Sequence, residues 1–450
     1  MRTDAIIWGH VVAVVCTLPG NVFGESPQVI REEIVTRFAA ANNGAGPLWC
    51  YASPLLVRDG KEVYVSIIET GQDVPPLCNT RFQLWKRLDT SWRAIATEQS
   101  YRQREPCPLA FLPGRGLFVS TNPSLTEPGT RYRACLPTVF QLRDQPQGML
   151  ATRELPVWSE RANFNDHSYR GFAADRTSGE LLLLNIDTKT SEQFVSLRKS
   201  DATWIPRGKI VFPIRAAYPN VAIRDGAAHV MAIGDIREPV EQWQQLKREV
   251  LNREWDYVFR RLFYAWSADI REGTFGPPIE VDSVEQTGGH ILNLDILVDQ
   301  QGDAHLLYLK QPHQHAFLRD RYFPGQPMTK SLMYVVLTRG RVVERTTLAE
   351  TPLSGEGFEP TYARFHVAPN EVVSVVLAGT LQSTSGTPEF VNLVQQIRPA
   401  KPAVKLELTH PFRTFFVNTP RGGSQPSRTL DLFGTSDDVP NLRYAEIELR

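Results

Sequence analysis

The segment DHSYRGF places three side chains suited to proton transfer next to one another: His167, Tyr169 and Arg170. Histidine titrates near working pH and can act as a base, tyrosine can act as an acid, and a forked guanidinium matches a carboxylate. His290, in GGHILNL, is a second candidate base. We interpret His167, Tyr169, Arg170 and His290 as candidate catalytic residues. In an extended strand, His167 and Tyr169 would lie on one side and Arg170 on the other.

Similar polar side chains recur in the segments LWCYAS, REPCPL, AYPNVA, EPTYARF and THPFRTF. Packing of a β-sheet core does not require them, so we interpret them as substrate-binding residues that converge on one funnel. The alternative is that they pair with one another and with the backbone, and fill a channel. The candidate binding residues are Tyr51, Arg104, Glu105, Tyr218, Asn220, Glu359, Tyr362, Arg364, His410 and Arg413.

A repeated unit of 50–60 residues positions these segments. Cys50 and Cys107 are 57 residues apart, and so are Cys78 and Cys135. Within the units, turns such as VRDGKEV, IRDGAAHV and VDQQGDAHLLYL separate apolar runs, as expected for hairpins. Four short antiparallel strands per unit are typical of a propeller blade. The sequence therefore predicts an all-β fold, a seven-bladed β-propeller with blades starting near residues 49, 107, 168, 220, 290, 361 and 412.

The seventh unit lacks an outer strand, and EEIVTRF, which begins at Glu32, can supply it. A ring closed by this N-terminal strand would leave no open sheet edge. One segment in blade four, PVEQWQQLKREVLNREW, carries Val240, Trp243, Val250 and Leu251 on one helical face. We expect one short helical insertion there, which either walls a binding site or caps the blade edges.

The N-terminus has the features of a signal peptide. Arg2 precedes the apolar run AIIWGHVVAVVCTL, and small residues end at Gly24. We therefore expect residues 1–24 to be a signal peptide and residues 25–450 to be a secreted or periplasmic propeller, a monomer not held in a membrane after cleavage. The formal net charge of +0 lacks the basic footprint of a nucleic-acid-binding protein.

The four cysteines after the signal suggest disulfides in an exported protein. Because period-equivalent residues should pair equivalently, the prediction is Cys50–Cys78 and Cys107–Cys135. No two of these cysteines are spaced as a zinc half-site. His313 and His315 have a spacing that can bind metal, and three axial histidines are a further possibility, but we predict no metal and no cofactor.

The segments HSYRGFAADRTSGELLLLN and DILVDQQGDAHLLYL, with the turns at Trp92 and Trp204, make the chain similar to BNR-repeat, sialidase-like bacterial propellers. KSDATW resembles an eroded Asp-box hairpin of that superfamily. The resemblance implies one of two chemistries, a sialidase-like hydrolysis or a β-elimination by a polysaccharide lyase, both on an acidic oligo- or polysaccharide.

For a sialidase, the resemblance assigns a carboxylate clamp to Arg104, Arg170 and Arg413 and a nucleophile to Tyr362 with Glu359, but the first blade offers no convincing aspartate as the acid. For a lyase, Arg170 or Arg104 neutralises the uronate, His167 or His290 is the base, and Tyr169 or Tyr218 is the acid. The histidine, tyrosine and arginine content favours the lyase. A propeller that only binds glycan or protein through the same funnel is the alternative.

Overall fold

The structure, a computed structural model, describes residues 26–41, 46–49, 52–145, 148–252, 256–352, 356–383 and 386–450. The predicted signal peptide lies outside these residues. No helix in the described ranges is both long and apolar enough to cross a bilayer.

Seven four-stranded antiparallel sheets form the propeller. The chain begins with β1 (Gln28–Arg37), which belongs to blade seven. Blade one consists of β2 (Leu56–Asp59), β3 (Glu62–Thr70), β4 (Thr80–Arg87) and β5 (Trp92–Thr97), and blade two of β6 (Leu109–Leu112), β7 (Gly116–Thr121), β8 (Thr138–Gln145) and β9 (Gly148–Glu154). Blade three consists of β10 (Arg170–Asp175), β11 (Glu180–Ile186), β12 (Gln193–Arg198) and β13 (Trp204–Ile210).

Blade four consists of β14 (Ala216–Arg224), β15 (Ala227–Gly234), β18 (Arg261–Ser267) and β19 (Ile279–Ser283), and between β15 and β18 the short strands β16 (Ile236–Arg237) and β17 (Tyr257–Val258) form a separate two-stranded sheet. Blade five consists of β20 (His290–Val298), β21 (Ala304–Gln311), β22 (Ser331–Thr338) and β23 (Arg341–Glu350), and blade six of β24 (Gly357–Ala368), β25 (Val372–Gln382), β26 (Glu389–Arg398) and β27 (Val404–Lys405). Blade seven adds β28 (Thr414–Val417), β29 (Thr429–Thr435) and β30 (Asn441–Glu448).

The predicted closure of the ring is confirmed. The sheet of blade seven has the order β1-β30-β29-β28, so the N-terminal strand is its outermost member. The pairing runs from Gln28 opposite Glu448 to Arg37 opposite Asn441. Because the first and last segments share one sheet, the ring has no seam between an unpaired first blade and an unpaired last one.

Burial differs between the inner and outer strands of a blade. β11 is buried along its whole length, and its leucines pack alternately against blade two and blade four. β23, an outer strand, is exposed over its first five residues. Continuous apolar runs therefore mark the strands covered on both faces. Between β14 and β15, Asp225 (φ 46°) and Gly226 (φ 80°) provide the two positive φ angles of a tight hairpin turn.

Two helices lie between the second and third strands of blades four and five: α1 (Glu241–Leu251) and α2 (Ala316–Tyr322). α1 is the predicted insertion, and its Trp243 is buried as expected, but Val250 is 52% exposed. Lys247 takes the buried position instead, with Nζ 2.6 Å from Glu238 and 2.7 Å from Asp256. The ring of Trp243 lies 6.2 Å from that of Tyr322, so the two helices contact each other. The sequence predicts one helical insertion, in blade four, whereas α2 is a second one, in blade five.

A buried charged network fills the lower part of the central channel, away from the face where the innermost strands begin. Arg421, in the loop between β28 and β29, has its Nη2 2.9 Å from Asp295 of β20, and its Nη1 donates to the carbonyl of Ala52 at 2.8 Å. Arg364 of β24 donates to the carbonyls of Leu294 and Phe415. The second oxygen of Asp295 accepts from the backbone N–H of Phe365. This network joins blades one, five, six and seven at the axis.

The predicted Cys107–Cys135 disulfide is wrong: Cys78, Cys107 and Cys135 are free, buried thiols. Cys50, the predicted partner of Cys78, lies outside the described residues. The thiols of Cys107 and Cys135 face different partners, Arg170 and the carbonyl of Asn165 respectively. Cys107 and Cys135 therefore do not pair, although the repeat spacing suggested that they would. Burial raises the pKa of both Cys78 and Cys107 to about 12, and it raises that of Cys135 as well.

We predict that Asp295→Ala lowers the free energy of unfolding by about 3–5 kcal/mol, because it leaves buried arginines without their carboxylate partner. Guanidinium-induced unfolding followed by circular dichroism measures the change. Glu272→Ala, which removes an exposed carboxylate between β18 and β19, is the control and should stay within about 0.5 kcal/mol of the wild type. Equal stability of Asp295→Ala and the control would contradict the proposed role of the axis network.

We also predict that Cys78, Cys107 and Cys135 resist alkylation in the native protein and react when it is unfolded. Buried thiols with raised pKa values present little thiolate to the reagent. Peptide mapping by mass spectrometry after iodoacetamide treatment, with and without guanidinium, measures this. A peptide pair linked through Cys107 and Cys135 would contradict it.

Candidate active site

The upper face of the propeller, where the innermost strands begin, gathers most of the predicted site residues. Tyr51 lies outside the described residues, so its placement stays a prediction. His167 and Arg104 precede their strands in turns, whereas Tyr218, His290 and Tyr362 lie within strands. The strict alternation of a strand therefore does not govern the loop positions.

His167 is held by a neighbouring carboxylate. Its Nδ1 lies 2.6 Å from Oδ1 of Asp166, whose side chain is fully buried. Oδ2 of Asp166 accepts from the backbone N–H of Tyr132 at 2.7 Å and from the thiol of Cys78 at 3.6 Å. The side chain of His167 is 23% exposed, and no described residue forms a hydrogen bond with its Nε2. A histidine fixed through Nδ1 in this way presents Nε2 for proton transfer.

Tyr169 and Tyr218 form a hydroxyl pair beside this histidine. The Tyr218 hydroxyl donates to that of Tyr169 at 3.2 Å, and the ring centroids are 4.4 Å apart. Burial raises the pKa of Tyr169 to about 12, and the charge of Glu105 acts in the same direction. Tyr169 is therefore protonated at neutral pH. Because it accepts from Tyr218, its own O–H remains able to donate a proton.

Arg215 and Asp235 complete this side of the face. Arg215 directly precedes β14, Asp235 directly follows β15, and Nη1 of Arg215 donates to the Asp235 carboxylate. The guanidinium lies 5.6 Å above the ring of Tyr169. Burial raises the pKa of Asp235, while Arg215 and His167 oppose the shift. Asp235 interacts electrostatically with both His167 and Tyr169, which is consistent with their position on the same side of the face.

Arg170 and Arg104 are engaged inside the protein. Arg170 is 3% exposed, and its Nη2 donates to the carbonyl of Pro106 at 2.8 Å and contacts the Cys107 thiol. Arg104 and Glu105 form a buried pair with a 2.5 Å contact. The carboxylate-binding role expected of these arginines is not supported by their positions, because each guanidinium has partners within the propeller.

Asn220 and Arg364 belong to the channel network. In the orientation that satisfies its amide, Asn220 donates to the carbonyls of Ala52 and Leu294 and accepts from Asn293. Arg364 also donates to the Tyr362 hydroxyl at 2.5 Å. For these two residues, the structure matches the alternative in which polar side chains fill the channel.

His290 and Glu359 lie on neighbouring blades. Burial and the nearby cations His315, Arg260 and Lys330 lower the pKa of His290 to about 4, so it is neutral at neutral pH. Glu359 accepts from Lys330 at 2.8 Å and from Gln382 at 3.1 Å. The Tyr362 hydroxyl accepts from Arg364, whereas Glu359 is bonded to Lys330 and Gln382. The tyrosine–glutamate pair that a sialidase needs is not formed among these contacts.

A cavity of about 530 Å³ opens on the blade six and seven side of the face. Trp49, Leu292, Tyr362 and Phe390 give it an apolar wall, and Arg413 lies at its edge, 4.6 Å over the Phe390 ring. Arg413 is exposed and forms no ion pair with any described residue. Trp49 also contacts Tyr218 edge-on, with centroids 5.8 Å apart, which connects this cavity to the tyrosine pair.

His410 lies at the rim of blade seven. Its Nδ1 is 3.3 Å from Asp437, and its backbone N–H donates to Glu32. With Asp437 and Asp438 it forms the group of potential metal ligands found in the described ranges. Asp438 is already paired with Arg443 at 2.7 Å. The two histidines of the possible metal-binding pair have separate contacts. His313 is hydrogen-bonded to the carbonyl of Thr287, and the ring of His315 stacks on Phe317.

Sequence reasoning missed Asp166, Tyr132, Arg215 and Asp235. Asp166 directly precedes His167, and this adjacency was a usable signal. In a strand, neighbouring side chains point to opposite faces, so the pair would not be expected to interact. Asp166 and His167 lie in a turn, where this restriction does not apply. Arg215 and Asp235 meet because they flank one hairpin. Tyr132 reaches His167 from another blade, and no local pattern indicates that contact.

No family model matches the chain, and no curated protein matches it. Solved structures do match. One is an ulvan lyase of polysaccharide lyase family 25, with 11% identity, a TM-score of 0.51, and coverage of 92% of this chain and 95% of that chain. Another is an α-L-arabinanase from Penicillium chrysogenum, with 10% identity, a TM-score of 0.44, and coverage of 94% of this chain and 98% of that chain. A third is a sialidase from Trypanosoma rangeli, with 13% identity, a TM-score of 0.36, and coverage of 77% of this chain and 54% of that chain.

The chain is thus a seven-bladed β-propeller of the kind that glycan-active enzymes use. At these identities the likeness concerns the fold alone, and function has to be argued from the site.

We predict that His290 remains neutral from pH 8 down to pH 5 and takes up a proton only near pH 4, since its surroundings disfavour the charged ring. Imidazole NMR of histidine-labelled protein measures this, with His290→Gln assigning the signal. Protonation of His290 between pH 6 and 7 would contradict the expected desolvation.

Proposed function

We propose that this protein is a carbohydrate-active propeller that cleaves acidic polysaccharide by β-elimination. The observation that carries the proposal is the Asp166–His167 pair, whose Nε2 has no partner among the described residues, beside the protonated Tyr169. A lyase needs a base, an acid and a cation for the uronate, and all three side-chain types occur here. Hydrolysis by two carboxylates would need a placed acidic pair, and the acidic residues of this site are bonded to arginine or histidine.

The reaction follows from these positions. His167 Nε2 takes the proton from C5 of the uronate, and the electron pair of that C–H bond forms the C4–C5 double bond. The C4–O bond breaks, and Tyr169 delivers its proton to the departing oxygen. Return of the proton from His167 to Tyr169 restores both groups, so no water is consumed. Asp166 keeps the ring in place and stabilises the imidazolium.

The cation for the uronate carboxylate is assigned to Arg215 rather than to Arg170 or Arg104. Arg215 lies over the Tyr169 ring, and its hydrogen bonds to Asp235 both start at Nη1, which leaves other N–H groups of its fork for a substrate. Arg413 and the aromatic wall of the cavity at blades six and seven suit a second sugar unit of the same chain.

The remaining parts of the proposal concern class and location. Membership of the sialidase-like superfamily is supported by the shared propeller and by the eroded Asp-box turns. Export through the N-terminal signal, and action as a monomer outside the cytoplasm, fit a polysaccharide substrate too large to enter a cell. The ulvan lyase that shares the fold acts on such a polymer.

We predict that His167→Ala abolishes turnover of acidic polysaccharide, and that Asp166→Asn lowers kcat by about 100-fold or more with little change in KM, because the ring loses its orientation. Ultraviolet absorbance of the unsaturated uronate product follows the elimination, and a reducing-end assay runs in parallel.

Unfolding midpoints of both variants should match that of the wild type, which separates lost chemistry from lost structure. Full activity of His167→Ala would remove this residue from the mechanism. Reducing ends without absorbance would indicate hydrolysis, and neither signal over a panel of acidic and neutral polysaccharides would indicate a propeller that only binds.

A further inference from the structure

The loop between β7 and β8 of blade two ends in an exposed basic and aromatic tip with the sequence Arg131-Tyr132-Arg133. Tyr132 is 63% exposed, one of the largest exposures of any big apolar side chain in the described ranges. Arg131 and Arg133 are both exposed, and neither forms an ion pair with a described residue. Most other arginines near this face are paired, as Arg102 is with Glu127.

Hydrogen bonds hold this tip beside the catalytic histidine. The ring of Tyr132 stacks on His167, with centroids 4.8 Å apart and planes at 29°. The backbone carbonyl of Arg133 accepts from the N–H of Asp166, and Ala134 bridges to Asn165. The loop therefore runs alongside the segment that leads into β10. The stacking of Tyr132 on His167 and the hydrogen bond from Asp166 to Arg133 hold the backbone of the tip next to His167.

The backbone of Tyr132 is in an unfavourable conformation for a residue with a side chain. Its φ is 52°, in the left-handed region that non-glycine residues seldom adopt. The bond from its N–H to Asp166 at 2.7 Å compensates for this conformation. An aromatic ring kept in solvent by a strained and anchored backbone is common at binding sites and has no role in the packing of the blades.

We propose that Arg131, Tyr132 and Arg133 form an anion-binding subsite that holds a carboxylate or sulfate group of an acidic glycan next to His167. Two free guanidiniums offer forked donors for a planar or tetrahedral anion, and the exposed face of Tyr132 supplies a flat surface for the sugar ring. This inference rests on the proposed function for the nature of the ligand as a glycan. It assigns a recognition role to a segment whose residues do not themselves transfer protons.

The test is equilibrium binding by isothermal titration, with three probes: polygalacturonate, which carries carboxylates; carrageenan, which carries sulfates and no uronate; and uncharged arabinan. Arg131→Ala/Arg133→Ala should bind the preferred acidic probe about tenfold more weakly than the wild type, since two exposed charge contacts are lost. Its affinity should also depend less on salt. Tyr132→Ala should weaken binding further, and Tyr132→Phe should keep most of it.

Arg153→Ala is the matched control, because Arg153 is also exposed and lies on β9, the outer strand of the same blade. It should bind as the wild type does. If the double variant binds polygalacturonate more weakly than the wild type does, the inference is supported with a carboxylate as the anion. If it binds carrageenan more weakly, the inference is supported with a sulfate as the anion. Equal affinity of the double variant and the wild type, or no acidic probe bound by the wild type, would overturn it. Binding that depends on the tip without any unsaturated product would refute the proposed lyase alone.

Discussion

A buried ion pair between Arg421 and Asp295 is the contact on which the rest of the architecture depends. It joins the seventh blade to the fifth at the axis, and the same guanidinium reaches the carbonyl of Ala52 in the first. Charges removed from water require complete partnering, and Asp295 finds it in Arg421 and in the backbone N–H of Phe365. The network makes the radial arrangement specific as well as compact, because sliding one blade would break several of these bonds.

The buried network also divides the open volume of the channel. Arg364, Asn220 and Asn293 occupy the axis with their own hydrogen bonds. A cavity of about 110 Å³ lies at the opposite face beside Arg421, and one of about 530 Å³ opens at the face where the innermost strands begin. Side chains directed to that space differ from blade to blade. One side carries titratable groups, His167, Tyr169 and Asp235, whereas the opposite side carries an apolar wall with an exposed arginine. This division suits a long polar polymer that crosses the face.

Asp166 joins two segments on the titratable side. One of its oxygens lies against Nδ1 of His167 and the other accepts from the backbone N–H of Tyr132, so a single carboxylate holds both the proposed base and the loop beside it. Its burial strengthens both bonds, since no water competes for the oxygens. Cys78 contributes a weak third contact. Cys78 makes this contact as a free, buried thiol.

The sequence by itself determined the seven-bladed ring, its closure by the N-terminal strand and the helix in blade four, because strand periodicity, turn residues and repeat length are local properties. It also predicted that His167, Tyr169, Tyr218 and Arg413 lie near the starts of the innermost strands, where the structure places them. Only the tertiary structure decided that Arg104, Arg170 and Arg364 turn inward while Arg215 and Asp235 join the site. It also decided that Cys107 and Cys135 face different partners, and that Tyr132 reaches His167. These outcomes depend on packing between blades, where residues far apart in the chain compete for the same buried partners, and no spacing within a single blade records that competition.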